Sequence, residues 1–148
     1  LMHWYDNDGG DLAFAKAVSQ QIPRSKLHSA PYVVSCDLDL AKKFQSLEMI
    51  NGNTLTNVGF YGPQSRKIRI QPAEKNLNAH IASFNFEGHK ITNLEMETAG
   101  IYAMATLLGH RAVSLNAIIA NRTTGKFSIR PDETVEKLIK FTLDSIIA

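Results

Sequence analysis

The chain has 148 residues, enough for one domain with a sizeable core. Its 44% hydrophobic and 20% charged composition is that of an ordinary globular protein, and a formal charge of +2 is too small to imply nucleic-acid or membrane binding by itself. Cys36 is the only cysteine, which excludes an internal disulfide and fits a reducing compartment, so the expectation is a cytoplasmic protein with no membrane or nucleic-acid partner.

In chain order, the spacing of Leu12, Phe14, Ala15, Ala17 and Val18 predicts a helix over 11–21, with Asp11 as N-cap and Pro23 beyond its end. "PYVVSC", 31–36, reads as a short strand, and Asp37 as the cap of a helix whose stripe is Leu38, Ala41, Phe44 and Leu47. "TLTNVGFY", 54–61, reads as a strand that breaks at Gly62 and Pro63, and "KIRI", 67–70, alternates like a half-exposed strand. A short helix is expected within "EKNLNAHIASF", then a strand in "KITNLEME". Next comes an apolar helix from Thr98 to Leu108, expected to be buried on most sides, with Gly109 at its C-terminal cap. "AVSLNAIIANR", 112–122, fits a central strand, and "TTGKFSIRP" a loop. Pro131 starts a last helix with Val135, Leu138, Ile139, Thr142 and Ile146 on one face. Alternating strands and helices imply an α/β sheet with parallel character, whose strand ends are the natural place for a site.

Three segments carry candidate chemistry. Glu95 and Glu97 bracket Met96 at the mouth of an apolar helix. They read either as favourable charges at a helix N-terminus or as acceptors for two neighbouring hydroxyls, such as those of a ribose. In "FYGPQSR", Gln64 and Arg66 follow a tight turn and match the edge of a planar imide. The Gln amide accepts from a ring N–H and donates to a carbonyl, Arg adds fork donors, and Phe60 stacks; the bland alternative is a solvated turn. "IIANRTTGK" ends an apolar run with Asn121 and Arg122, and its "TTGK" lacks the rest of a phosphate loop. The five histidines show no metal-like pairing, and Cys36 reads as structural.

Together "FYGPQSR", "LEMETAGIY" and "IIANRT", in that order and at those separations, resemble the nucleoside phosphorylase-I family, and within it the uridine phosphorylases most. The resemblance runs from about Pro31 to the last helix. It implies an α/β, three-layer-like fold with a mixed, partly closed β-sheet flanked by helices. It also implies a pentosyltransferase that cleaves the N-glycosidic bond of a pyrimidine nucleoside, uridine, with inorganic phosphate as co-substrate and no cofactor or metal. Carried over by motif, Gln64 and Arg66 bind the base edge beside Phe60. Met96 and Glu97 hold the ribose, Glu95 supports that junction, and Arg122 fixes the base-site loop or stabilises charge on the departing base. Glu97 and Arg122 are the candidate catalytic residues. Purine members of the family carry an Asp where this chain reads "ANRT", which favours a pyrimidine.

The family draws its phosphate site from a Gly-rich loop and arginines in its amino-terminal half. This chain offers instead the acidic "DNDGGD" and opens at Leu1. The expectation is therefore one domain over 1–148 that forms the carboxy-terminal portion of a longer phosphorylase, inactive alone and homo-oligomeric when complete. The rival readings are a purine nucleoside phosphorylase, a nucleosidase using water, and a catalytically silent nucleoside-binding module.

Overall fold

The computed structural model describes residues 11–23 and 30–147, so residues 6–10 of the acidic stretch lie outside it. Helix α1, Leu12–Gln21, begins where the Asp11 carboxylate accepts the Phe14 N–H at 2.8 Å. It lays Phe14, Ala17 and Val18 into the core, and Ile22 continues this apolar edge inside. Helix α2, Leu38–Lys42, is capped the same way, Asp37 accepting from Leu40 N at 2.6 Å.

Strand β1, Asn53–Thr56, runs parallel to β2, Ile91–Glu95, with Leu55 opposite Leu94 and Thr56 opposite Glu95. The parallel pairing needs a crossover, and α3, Leu77–Ser83, lies in it. A side chain at Gly52, just before β1, would place its Cβ 1.9 Å from Thr92 Oγ1, so the strands meet this closely only over glycine. The core forms where α1 and α3 cover the β1–β2 pair. Phe14, Val18, Ile22, Leu55, Ile81 and Phe84 are buried together, with Leu94 and Phe86 against them. The Phe14 ring stands 5.2 Å from Phe86 edge-on and 5.6 Å from Phe84.

Helix α4, Thr98–Leu107, starts directly after β2. Its end is a left-handed cap: Gly109 has φ +71°, Gly109 N donates to Thr106 O and His110 N to Ala105 O. Strands β3, Ala120–Asn121, and β4, Lys126–Phe127, make a small antiparallel hairpin, and α5, Pro131–Ile147, closes the chain.

Several expected elements differ. The strand over 54–61 stops at Thr56: Asn57 N still donates to Glu95 O at 2.8 Å, and its side chain turns back onto Leu55 O at 3.2 Å. Segments 31–36 and 67–70 are not strands: the first finds no neighbouring strand among the described residues and the second bends at 68–70, and the helix after Asp37 stops at Lys42. The 112–122 run is laddered only at β3. Its earlier part is held by single bonds, Ser114 N to the Tyr102 hydroxyl and Asp37 N to Ala112 O. The predicted loop after Arg122 contains β4. The architecture is mixed α/β, as expected. In place of one mixed, partly closed sheet, the described residues form two separate two-stranded sheets. Helix α4 is not buried on most sides either: Thr98 and Ala103 are inside, while Ile101, Met104, Leu107 and Leu108 are exposed.

Candidate nucleoside site

Parallel strands end side by side, so the segments that leave them are held at one edge of the sheet. Here β1 ends at Thr56 and β2 at Glu95, and the two residues are locked together. The Thr56 hydroxyl donates to Glu95 Oε1 at 2.5 Å and accepts from Ala99 N at 2.9 Å. Glu95 Oε2 accepts from Glu97 N and Thr98 N, each at 2.6 Å. Glu95 and Thr56 together therefore satisfy the N–H groups of Glu97, Thr98 and Ala99 at the start of α4. Burial pushes its carboxyl up, but the hydrogen bonds from Thr56, Glu97 and Thr98 outweigh that and hold it below the ordinary carboxylate range.

Glu97 behaves differently. It stands at the N-cap position of α4 but makes no side-chain cap bond. Among the described residues its Oε2 accepts only the Met96 N–H, at 3.2 Å, and the side chain is exposed. Of the two carboxylates, one is committed to the fold and the other is exposed. Met96 between them is partly exposed.

The second cluster lies four residues beyond Thr56. After Phe60 a short 3₁₀ turn, Gly62–Gln64, closes on Ser65 in the left-handed region. The turn draws Gln64 inward until it is 3% exposed. Arg66 folds back over Phe60, its guanidinium carbon 3.5 Å from the ring centre, and donates to the Phe60 carbonyl. One face of Phe60 is thus covered by Arg66, and Tyr61 meets the ring edge-on at 5.2 Å. Arg66 Nη1 donates to Gln64 Oε1 at 2.9 Å. Arg122, delivered from the distant β3 end, donates to Gln64 O at 2.8 Å and also to Gln64 Oε1. Burial, and then the neighbouring charge of Arg66, lower the Arg122 pKa. Among the described residues neither arginine has a carboxylate partner.

Phe60, Gln64, Arg66 and Arg122 are therefore brought together, and Glu95, Met96 and Glu97 sit at the end of the neighbouring strand. No hydrogen bond joins Glu97 to the Gln64 cluster. Asn121 folds onto its own turn, its side-chain oxygen accepting from Thr123 N and Thr124 N at 3.0 Å each. A hollow of about 790 Å³ is lined by Thr56, Asn57, Tyr61 and Arg66 but not by Gln64, Glu97 or Arg122. Sequence reasoning missed Thr56. Its signal was a hydroxyl at the last position of the strand, which only strand register could set opposite Glu95.

Two curated proteins align with most of this chain. One is named uridine phosphorylase, from Thermococcus kodakarensis, 30% identical over 132 residues, covering 80% of this chain and 44% of the relative. The other is a purine nucleoside phosphorylase of DeoD type from Colwellia psychrerythraea, 23% identical over 144 residues, covering 92% and 55%. Both are nucleoside phosphorylases by name. The likeness supports that family without singling out a subfamily. The chain spans about half the length of these relatives. No protein-family model matches it, and no solved structure matches it significantly. Among the described residues no helix is long and apolar enough to cross a membrane.

Proposed function

We propose that this chain forms the nucleoside side of a phosphorylase that transfers the pentose of a pyrimidine nucleoside, uridine, to inorganic phosphate. One observation carries the reading: two guanidiniums without carboxylate partners among the described residues converge on Gln64, and Glu97, two residues past the end of the next strand, holds an exposed carboxylate. In phosphorolysis a phosphate oxygen bonds to C1′ of the sugar while the bond from C1′ to the base nitrogen breaks, its electron pair leaving with the base. Positive charge grows on the ribose and negative charge on the base. Glu97 grips the ribose hydroxyls and favours the cationic side. Arg66, Arg122 and Gln64 face the anionic side, where a well-placed donor contributes about 3–4 kcal/mol. Glu95 holds the frame between them. Phosphate is the co-substrate, and the reaction needs no organic cofactor or metal. The pyrimidine assignment is supported by the stretch "ANRT" at the end of β3, which holds no acid where purine members of the resembled family carry an Asp.

The groups that bind phosphate belong, on this reading, to a part of a longer, oligomeric enzyme outside this chain. Calorimetry of the chain with uridine, inosine and uracil, alongside an assay for free base with and without phosphate, tests this. Uridine binds in preference to inosine and no base is released. Glu97→Gln weakens uridine at least tenfold and leaves uracil binding unchanged, because only the sugar contact is lost. Absence of uridine binding overturns the nucleoside reading. Release of uracil by the chain alone overturns the placement of the phosphate groups elsewhere.

A further inference from the structure

We propose that Thr56 is a positioning residue for the sugar carboxylate: through Glu95 it fixes the piece of backbone from which Glu97 reaches the ribose. The proposal rests on the nucleoside reading given under the proposed function, and adds to it a residue that acts on the sugar only through its neighbours.

Strand register decides which groups can meet. Thr56 and Glu95 are paired residues at the ends of parallel strands, one position beyond the paired Leu55 and Leu94. Leu55 and Leu94 belong to the core with α1 and α3, so the residues that follow them point to the opposite face of the pair. There they meet the first turn of α4. The Glu95 carboxyl is held below the ordinary carboxylate range, so at neutral pH it carries its charge and has no proton to give. The single hydroxyl proton of Thr56 therefore goes to Glu95 Oε1, at 2.5 Å, and a lone pair of the same hydroxyl accepts Ala99 N, at 2.9 Å. With Oε1 tied to β1, the carboxylate turns Oε2 onto Glu97 N and Thr98 N, each at 2.6 Å.

Glu97 is thereby held at both ends of its backbone and exposed beyond it. Its N–H goes to Glu95, and its carbonyl accepts Ile101 N at 3.1 Å. The next residue, Thr98, is 7% exposed, and its hydroxyl donates to Ser114 Oγ at 3.2 Å, which ties the same turn to a further segment. What is left to Glu97 is rotation of its own side chain. A carboxylate on a fixed stem loses less freedom on gripping two hydroxyls than one on a moving stem. The role of Thr56 needs one donor and one acceptor on a short side chain. Serine keeps both, and valine, of nearly the same shape, keeps neither.

The test is calorimetry of the full chain with uridine and with uracil, at a temperature where every variant is folded. Thr56→Val is expected to weaken uridine about three- to tenfold and to leave uracil within about twofold, with Thr56→Ser close to wild type. Thr56→Ala, which also lacks the hydroxyl, gives the same reading where Thr56→Val does not fold. Thr56→Val added to Glu97→Gln is expected to weaken uridine by no more than about a further twofold, because the contact it positions is already gone. Equal weakening of both ligands, losses that multiply in the double variant, or wild-type affinity for uridine in Thr56→Val each overturn the proposal. If the wild-type chain binds no uridine, the nucleoside reading fails, and the placing of Glu97 by Thr56 is read by NMR without ligand. The Glu97 and Thr98 amide protons, which go to Glu95 rather than to Thr56, are then expected to move upfield in Thr56→Val and to stay in place in Thr56→Ser. Unmoved signals in Thr56→Val overturn the placing as well.

Discussion

At the residue scale, the two carboxylates flanking Met96 differ: Glu95 is bound into the fold and Glu97 is exposed. Glu95 commits both oxygens to Thr56, Glu97 N and Thr98 N, and Thr56 returns an acceptor to Ala99 N. Thr56→Val removes one donor and one acceptor from this partly buried network and is expected to cost about 1–3 kcal/mol in urea unfolding, with Thr56→Ser recovering most of it. The Glu95 shift sets the sign with pH. Its folded pKa is lowered, so its contribution is complete above the ordinary carboxylate pKa of about 4.3 and fades as pH falls through the folded value. The gap between wild type and Thr56→Val should therefore be full at neutral pH and shrink below about pH 4. A gap that stays constant into acid would mean the network does not depend on the Glu95 charge.

At the scale of elements, the features written in short-range chemistry could be read directly. Asp11 and Asp37 cap the helices they precede, Pro131 opens α5, and Gly109 terminates α4 in the left-handed region. Asp11→Ala should cost about 1 kcal/mol through loss of the cap to Phe14 N. Gly109→Ala should cost about 1–2 kcal/mol through its positive φ; both are measured by chemical denaturation. What could not be read was pairing. "AVSLNAIIANR" and "KIRI" have strand composition, yet a strand exists only where a neighbour supplies the other half of its hydrogen bonds. Only Ala120 and Asn121 of the first run find one among the described residues. The candidate site was legible in part for the same reason. Gln64 and Arg66 are neighbours in sequence, so the turn alone suffices to pair them. The arrival of Arg122, 58 residues away, on the same amide oxygen belongs to tertiary geometry.

For the whole molecule, the dominant feature is apolar surface left uncovered. Helix α5 buries no residue, and Val135, Ile139, Leu143 and Ile146 form an exposed stripe along it. The outer side of α4 adds Ile101, Met104 and Leu108. The total accessible surface is 11121 Å² for 16.4 kDa, where a compact monomer exposes about 7,500 Å². Leu143→Glu should therefore change the stability of this chain by less than about 0.5 kcal/mol while lowering its self-association in sedimentation. A loss of about 2 kcal/mol or more would show that α5 is already covered in solution. The lock between Thr56 and Glu95 has a consequence at this scale too. Thr56 ends one strand, leads into the segment carrying Phe60 and Gln64, and hangs from the first turn of α4. Any tilt of α4 must pull on that segment, so on the proposed nucleoside reading the contacts to sugar and to base are geared together, and occupancy of either is expected to tighten the other.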